Sequence, residues 1–201
     1  MLTLFFAAPL VAAHLATGAH VREVSGHGVV VRAVAREVHG ETEARLEIRR
    51  GRAVQTIDLH HREIGALILL QSIAIVDVNF DGHPDVTVLR ELGAKWGASD
   101  AFVFDPRTSS FTSASRIARA IGNLTNATFD EKHQTITTRN IGPSNPERIT
   151  YAVERDRLRV VSSCRFLNPF DARVGTLVRT TGRRTTYQEL RLGASDLAPC
   201  D

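Results

Sequence analysis

Lysine is nearly absent from this chain: Lys95 and Lys132 are the only two among its 25 basic residues, so the formal charge of +3 rests on arginine. Arginine together with abundant alanine reflects a GC-rich coding bias as readily as anion binding. No basic stripe interleaves with aromatics, which argues against a stacking nucleic-acid surface and favours the coding bias. The motifs of common enzymes are missing too. There is no Gly-x-Ser-x-Gly elbow, no His-Glu-x-x-His, no phosphate loop and no dinucleotide fingerprint. The chain therefore reads as a non-enzyme. Paired glycosidase carboxylates carry no sequence signature, since their separation is set in three dimensions. The obvious acidic cluster is in any case committed to the loop described below. Of the eight histidines, His60 and His61 are adjacent and precede Glu63. Neighbours on a strand or loop point to opposite sides, so a surface turn is expected there rather than a zinc site.

Cysteine is scarce. Cys164 and Cys200 are the only two and lie too far apart for a zinc knuckle. In an oxidising compartment they are expected to pair and pin the tail, a constraint worth roughly 3–4 kcal/mol by chain entropy. The N-terminus agrees with export. Leu2 to Ala13 is apolar or small, too short to span a membrane and long enough for a signal segment. Val11-Ala12-Ala13 and Ala16-Thr17-Gly18 are alternative cleavage sites, although no basic residue precedes the apolar run. The reading is a signal peptide over residues 1–18 and a periplasmic or secreted product with no stable membrane span.

What the chain does have is strands. At 201 residues, with 43% hydrophobic and 23% charged content, it has ordinary globular composition and suits one main domain. Ala44 to Arg49 and Val54 to Leu59 alternate apolar and polar residues around a turn at Arg50-Gly51-Arg52, which makes a hairpin. Similar short units recur through Phe102-Val103-Phe104, Gln134 to Arg139, Arg148 to Val153 and Arg157 to Val161. Thr176 to Arg179 and Thr185 to Leu190 read as two weaker strands. Ala66 to Leu70 is a buried strand or a helical turn, and Ile117, Ile121 and Leu124 have helical spacing. The fold class is all-β: a meander of short antiparallel strands packed as a small propeller or sandwich, with at most one short helix. A β domain is expected over 20–161 and a C-terminal extension, pinned to itself by the disulfide, over 162–201.

One stretch carries chemistry. Asp77-Val78-Asn79-Phe80-Asp81-Gly82-His83-Pro84-Asp85 sets oxygen-bearing side chains two residues apart, then a glycine that permits a sharp turn. A hard cation such as calcium needs six to eight such oxygens at short range. Asp77, Asn79, Asp81 and Asp85 are the side-chain candidates, with His83 offering its carbonyl. Val88 stands where an EF-hand places its bidentate glutamate, and apolar strands flank the loop on both sides, so EF-hand geometry is out. Asp, Asn and Gly also favour turns without any metal. The spacing favours a single structural Ca²⁺ in a strand–loop–strand unit.

A second loop follows. Gly93-Ala94-Lys95-Trp96-Gly97-Ala98-Ser99 holds the only tryptophan. Two readings stand for it: an exposed anchor for a protein partner, with Gly93, Lys95, Trp96 and Ser99 at the contact, or a buried cap on the core. In the first reading, calcium next door would stiffen the loop before binding. Asn140 to Pro146 is a second candidate contact loop.

The order of Gln55-Thr56-Ile57, the acidic loop with its leading Ile75-Val76, and Phe102 to Asp105 leading to Phe111 resembles a known family. It is that of exported bacterial β-propeller-like proteins with an FG-GAP-type calcium loop. The family includes immunity proteins against type IV-secreted peptidoglycan hydrolases, similar in fold to periplasmic inhibitors of invertebrate-type lysozyme. The resemblance covers roughly residues 44–161. It implies calcium on Asp77, Asn79, Asp81, Asp85 and the His83 carbonyl, and a stoichiometric inhibitor that plugs a muramidase-like cleft. The alternative is a calcium-stabilised structural or adhesion module.

Overall fold

The computed structural model describes residues 18–61, 64–140, 146–171, 174–191 and 200. The first sheet is a four-stranded meander of β1 (His20–Gly26), β2 (Val29–Val38), β3 (Glu41–Arg50) and β4 (Ala53–His61), paired in chain order. Strict alternation puts Val29, Val31, Ala33 and Ala35 of β2 on the same buried face as Ala44, Leu46 and Ile48 of β3. Register joins them directly, Val31 to Ile48 and Ala33 to Leu46. Shifting either strand by one residue would turn this whole set to solvent.

Helix α1 (Ala66–Gln71) covers that sheet. The ambiguous apolar run is helical because Ala66, Leu69 and Leu70 fall at i, i+3 and i+4 and bury together, leaving Leu67 and Ile68 exposed. Helix α2 (Arg116–Gly122) is the second, capped where Ser115 Oγ accepts from the Ala118 N–H. Among the described residues there are thus two short helices where at most one was expected, each burying one apolar stripe.

The second sheet pairs β5 (Ala74–Val76), β6 (Asp85–Leu92), β7 (Gly97–Asp105) and β8 (Ser110–Thr112) in order. Phe102 and Phe104 of β7 point into one core with β2, β3 and α1, while Ala101 and Val103 point into another with α2 and Ile136. Burial on both faces explains the near-continuous apolar sequence of β7. Gln55 of β4 ties the first two sheets, its amide donating to the Phe111 carbonyl and accepting from the Phe111 N–H.

The third sheet runs β9 (Thr128–Asp130), β10 (Thr135–Asn140), β11 (Glu147–Glu154), β12 (Arg157–Asp171), β13 (Val174–Thr181) and β14 (Arg184–Arg191), again in sequence order. Strand β12 passes straight through the boundary expected at Val161, so the chain beyond it adds strands to the sheet begun at β9. Cys164 and Cys200 form a disulfide, with Cα atoms 5.5 Å apart, inside a small third core with Phe166 and Leu177. The architecture is all-β and sandwich-like. No sheet among the described residues closes into a barrel, and the propeller alternative finds no support in it. The expected signal segment lies outside the described residues apart from Gly18, and so does most of the Asn140–Pro146 loop.

Candidate functional site

The acidic loop joins β5 to β6 and folds around its own backbone. Asp77 accepts from the N–H of Asp81 at 3.1 Å and of Gly82 at 2.8 Å. Asn79 Oδ1 lies 3.3 Å from that same Asp81 N–H, and Asn79 Nδ2 donates to Asp81 Oδ2 at 2.9 Å. Asp81 Oδ1 in turn accepts from the His83 N–H at 2.8 Å. Gly82 sits at φ +83°, the left-handed region its missing Cβ allows. The side-chain oxygens of Asp77, Asn79 and Asp81 thus converge on one turn of backbone.

Asp85 is placed differently. It is fully buried, and its two oxygens accept from the N–H groups of Val78 and Phe104 at 3.0 and 2.8 Å. Burial pushes its carboxyl up to about 7; the hydrogen bonds from Phe104 and Val78 pull the other way, and the charges of Asp81 and Asp77 add to the rise. Asp85 therefore staples the loop to β7. By residue type the set suits a hard cation. By placement, Asp77, Asn79 and Asp81 converge, whereas Asp85 is turned inward. Among the described residues no group of three or more His, Cys, Asp or Glu is gathered to hold a metal. The third member of the convergent set is an asparagine.

The His83 side chain faces away from this cluster. Its ring packs edge-on against Phe104, centroids 5.6 Å apart, and Nδ1 lies 3.1 Å from Arg50 Nη2. Arg50 stacks on the Phe104 ring, its guanidinium carbon 3.7 Å from the centroid. Arg50 and Phe104 thereby lock the loop to the end of the first sheet. Nothing in the spacing around residue 50 signals this, since the two partners are distant in sequence.

Trp96 is exposed, so it is not a buried cap on the core. The loop proper is residues 93–96, because Gly97, Ala98 and Ser99 belong to β7 and Ser99 pairs with Leu89. The Gly93 N–H donates to the Trp96 carbonyl at 2.8 Å, closing the turn. A Cβ on Gly93 would stand 2.2 Å from Trp96 Nε1, so the indole lies directly over the glycine. Leu92 beside it is 46% exposed and Trp96 is 43% exposed. Lys95 is exposed, and its carbonyl accepts from Asn126 Nδ2.

The expected link between the two loops is wrong. The acidic loop enters β6 at Asp85, while the tryptophan loop leaves it at Leu92. Seven residues of strand at ~3.3 Å each separate them by about 23 Å. Rigidity comes instead from Asn126, held at φ +50° with its side chain donating to the carbonyls of Lys95 and Arg139. An asparagine followed by a small residue, just after a helix end, was the available signal.

At the end of β4, His60 is exposed and His61 is buried, on opposite faces. The surface turn expected there is thus a strand end with one ring inside. Burial lowers the His61 pKa, against the charge of Asp100, and Nε2 has no partner among the described residues. Glu63 lies outside the described residues.

No protein-family model matches the chain. No curated protein matches it by sequence. Among solved structures, the chain is similar to a Xanthomonas type IV secretion system related protein, at 16% identity, covering 84% of this chain and 92% of that one, with a TM-score of 0.49.

Proposed function

We propose that this chain is an exported protein that binds and inhibits a lysozyme-like peptidoglycan hydrolase, acting as an immunity protein rather than as an enzyme. The observation that carries the reading is the Leu92–Trp96 loop: an exposed indole and an exposed leucine, held in place before any partner arrives. Inserting a loop into a cleft loses affinity when the loop must be ordered on binding. Here Asn126 has already ordered it. The hydrolase as partner follows from the resemblance of residues 44–161. Export is supported by the Cys164–Cys200 disulfide, which persists in oxidising compartments. No helix among the described residues is long and apolar enough to cross a membrane.

The test is inhibition of a lysozyme-fold hydrolase encoded beside this gene. Stoichiometric inhibition by the wild-type chain is expected, weakened at least tenfold in Trp96→Ala, as for an interface anchor worth over 1.4 kcal/mol. A variant that inhibits as well as wild type would remove Trp96 from the contact.

A second reading is a calcium-stabilised structural or adhesion module. The convergence of Asp77, Asn79 and Asp81 favours it. In that reading Ca²⁺ is held by those three side chains and the His83 carbonyl, with Asp85 supporting the loop from beneath. Calcium supplies stability only. Failure to bind any neighbouring hydrolase, with a melting temperature that depends on calcium, would favour this second reading.

A further inference from the structure

Arg116, Arg155 and Arg157 line one shallow depression of about 770 Å³, between the start of α2 and the β11–β12 turn. All three are exposed, and none has a hydrogen-bond or ion-pair partner among the described residues. Two acidic residues, Glu154 and Asp156, share the lining, so the depression holds three positive and two negative side chains. Glu154 is engaged by Arg159 at 2.8 Å, and Asp156 is exposed at the turn.

The turn itself is unusual. Among the described residues, five two-residue turns join paired strands: His27-Gly28, His39-Gly40, Gly51-Arg52, Arg155-Asp156 and Gly182-Arg183. Four of them place a glycine at positive φ. Arg155 and Asp156 instead take φ +49° and +61° with no glycine between them. Left-handed backbone crowds an ordinary Cβ against the following carbonyl, which is why such turns favour Asn-Gly. His27 and His39 are left-handed at the same first position, at φ +51°, so the departure is Asp156, which stands where those turns place glycine. The turn sets Arg155 beside two other unpaired arginines. Strain of this kind collects at functional positions.

We infer that this depression is a docking surface for an acidic segment of a protein partner, whose Asp or Glu carboxylates pair with Arg116, Arg155 and Arg157. Guanidinium forks match carboxylates two bonds at a time. A polyphosphate or nucleic-acid strand fits worse, because Glu154 and Asp156 interrupt the positive field and no aromatic among the described residues lines the depression for nucleic-acid bases to stack on. Discrete carboxylates can be spaced between the two acids. The surface is separate from the Trp96 loop: Arg116 begins α2, while Gly122 at its other end accepts from Arg90 and Thr125 bridges to Ala98. Its test does not depend on hydrolase inhibition.

The probe is a fluorescein-labelled hexaglutamate peptide titrated with the full chain by anisotropy, at low and at physiological salt. Saturable binding is expected, weakened severalfold in Arg155→Gln/Arg157→Gln and by less in Arg116→Gln, as for exposed ion pairs, and weaker at physiological than at low salt. Arg184→Gln, an exposed arginine on β14, should leave binding unchanged. Arg155→Asn separates the two roles, because asparagine tolerates left-handed backbone: the melting temperature should rise while peptide binding falls. Equal loss in Arg184→Gln, indifference of the peptide to all the variants, or preferential binding of tripolyphosphate or an oligonucleotide over the peptide would each overturn the assignment.

Discussion

Gly97 and Asn126 exchange two hydrogen bonds: the Gly97 N–H donates to Asn126 Oδ1, and the Asn126 N–H donates to the Gly97 carbonyl, both at 2.8 Å. This pair fixes where β7 begins and hence how the 93–96 turn is presented. The same asparagine holds the carbonyls of Lys95 and Arg139, so one residue ties the tryptophan loop to the third sheet. Replacing it with glycine keeps the positive φ and removes only the side chain. Asn126→Gly is expected to cost about 1–3 kcal/mol in urea unfolding, since the Gly97 N–H and the Lys95 carbonyl lose their partners. Amide exchange at residues 93–97 should speed up more than elsewhere.

Gly93→Ala tests the seat of the indole. The added Cβ would sit 2.2 Å from Trp96 Nε1, which cannot be tolerated without moving the ring. The tryptophan emission should shift and hydrolase inhibition should weaken. Global stability should change by less than about 1 kcal/mol, because the ring lies at the surface. An unchanged emission spectrum would mean that the indole does not rest on Gly93.

Asp85 makes stability depend on pH in an uncommon direction. Its carboxyl titrates near 7 in the fold against an ordinary value of 3.8. Between those values the folded chain binds more protons than the unfolded chain, so this residue's contribution is fully present below about pH 4 and is lost as pH rises through about 7. Urea melts of the wild type minus those of Asp85→Asn should show that slope. The variant should be flat in this window but about 1–3 kcal/mol weaker at low pH, because its amide NH₂ faces a backbone N–H. A wild-type-minus-variant difference independent of pH would contradict the assignment.

Calcium is tested by thermal melts with and without chelator. If the loop holds the ion at about 10⁻⁴ M affinity, 1 mM calcium adds about 1.4 kcal/mol. Asp81→Asn should abolish the response. Asp77→Ala should also destabilise the chain without calcium, because Asp77 caps the Asp81 and Gly82 N–H groups. No shift on chelation in the wild type would leave the loop as a purely hydrogen-bonded turn.

The disulfide closes a separation of 36 residues around a small third core. Cys164→Ala/Cys200→Ala is expected to cost about 2–4 kcal/mol. Faster amide exchange should be concentrated in β13 and β14, while the first sheet keeps its protection.

By itself the sequence determined most of the strands after the first, His20–Gly26, several of the turns between them and the place of the acidic loop, though not the hydrogen bonds that cap that loop or the inward turn of Asp85. Those features depend on alternation, β-branching and Asp, Asn or Gly at fixed offsets, all of them local. It also named the two cysteines that pair. It left Ala66–Gln71 open because a short apolar run has no period to read; the helix won when the first sheet accepted one helical stripe. The tertiary structure alone decided that Trp96 is exposed, that Asn126 is its brace, and that the acidic and tryptophan loops sit at opposite ends of β6. It alone brought Arg116 beside Arg155 and Arg157. The reason is common to all four. Each is a relation between residues distant in the chain or at the two ends of one strand, and the packing of one sheet on another sets it.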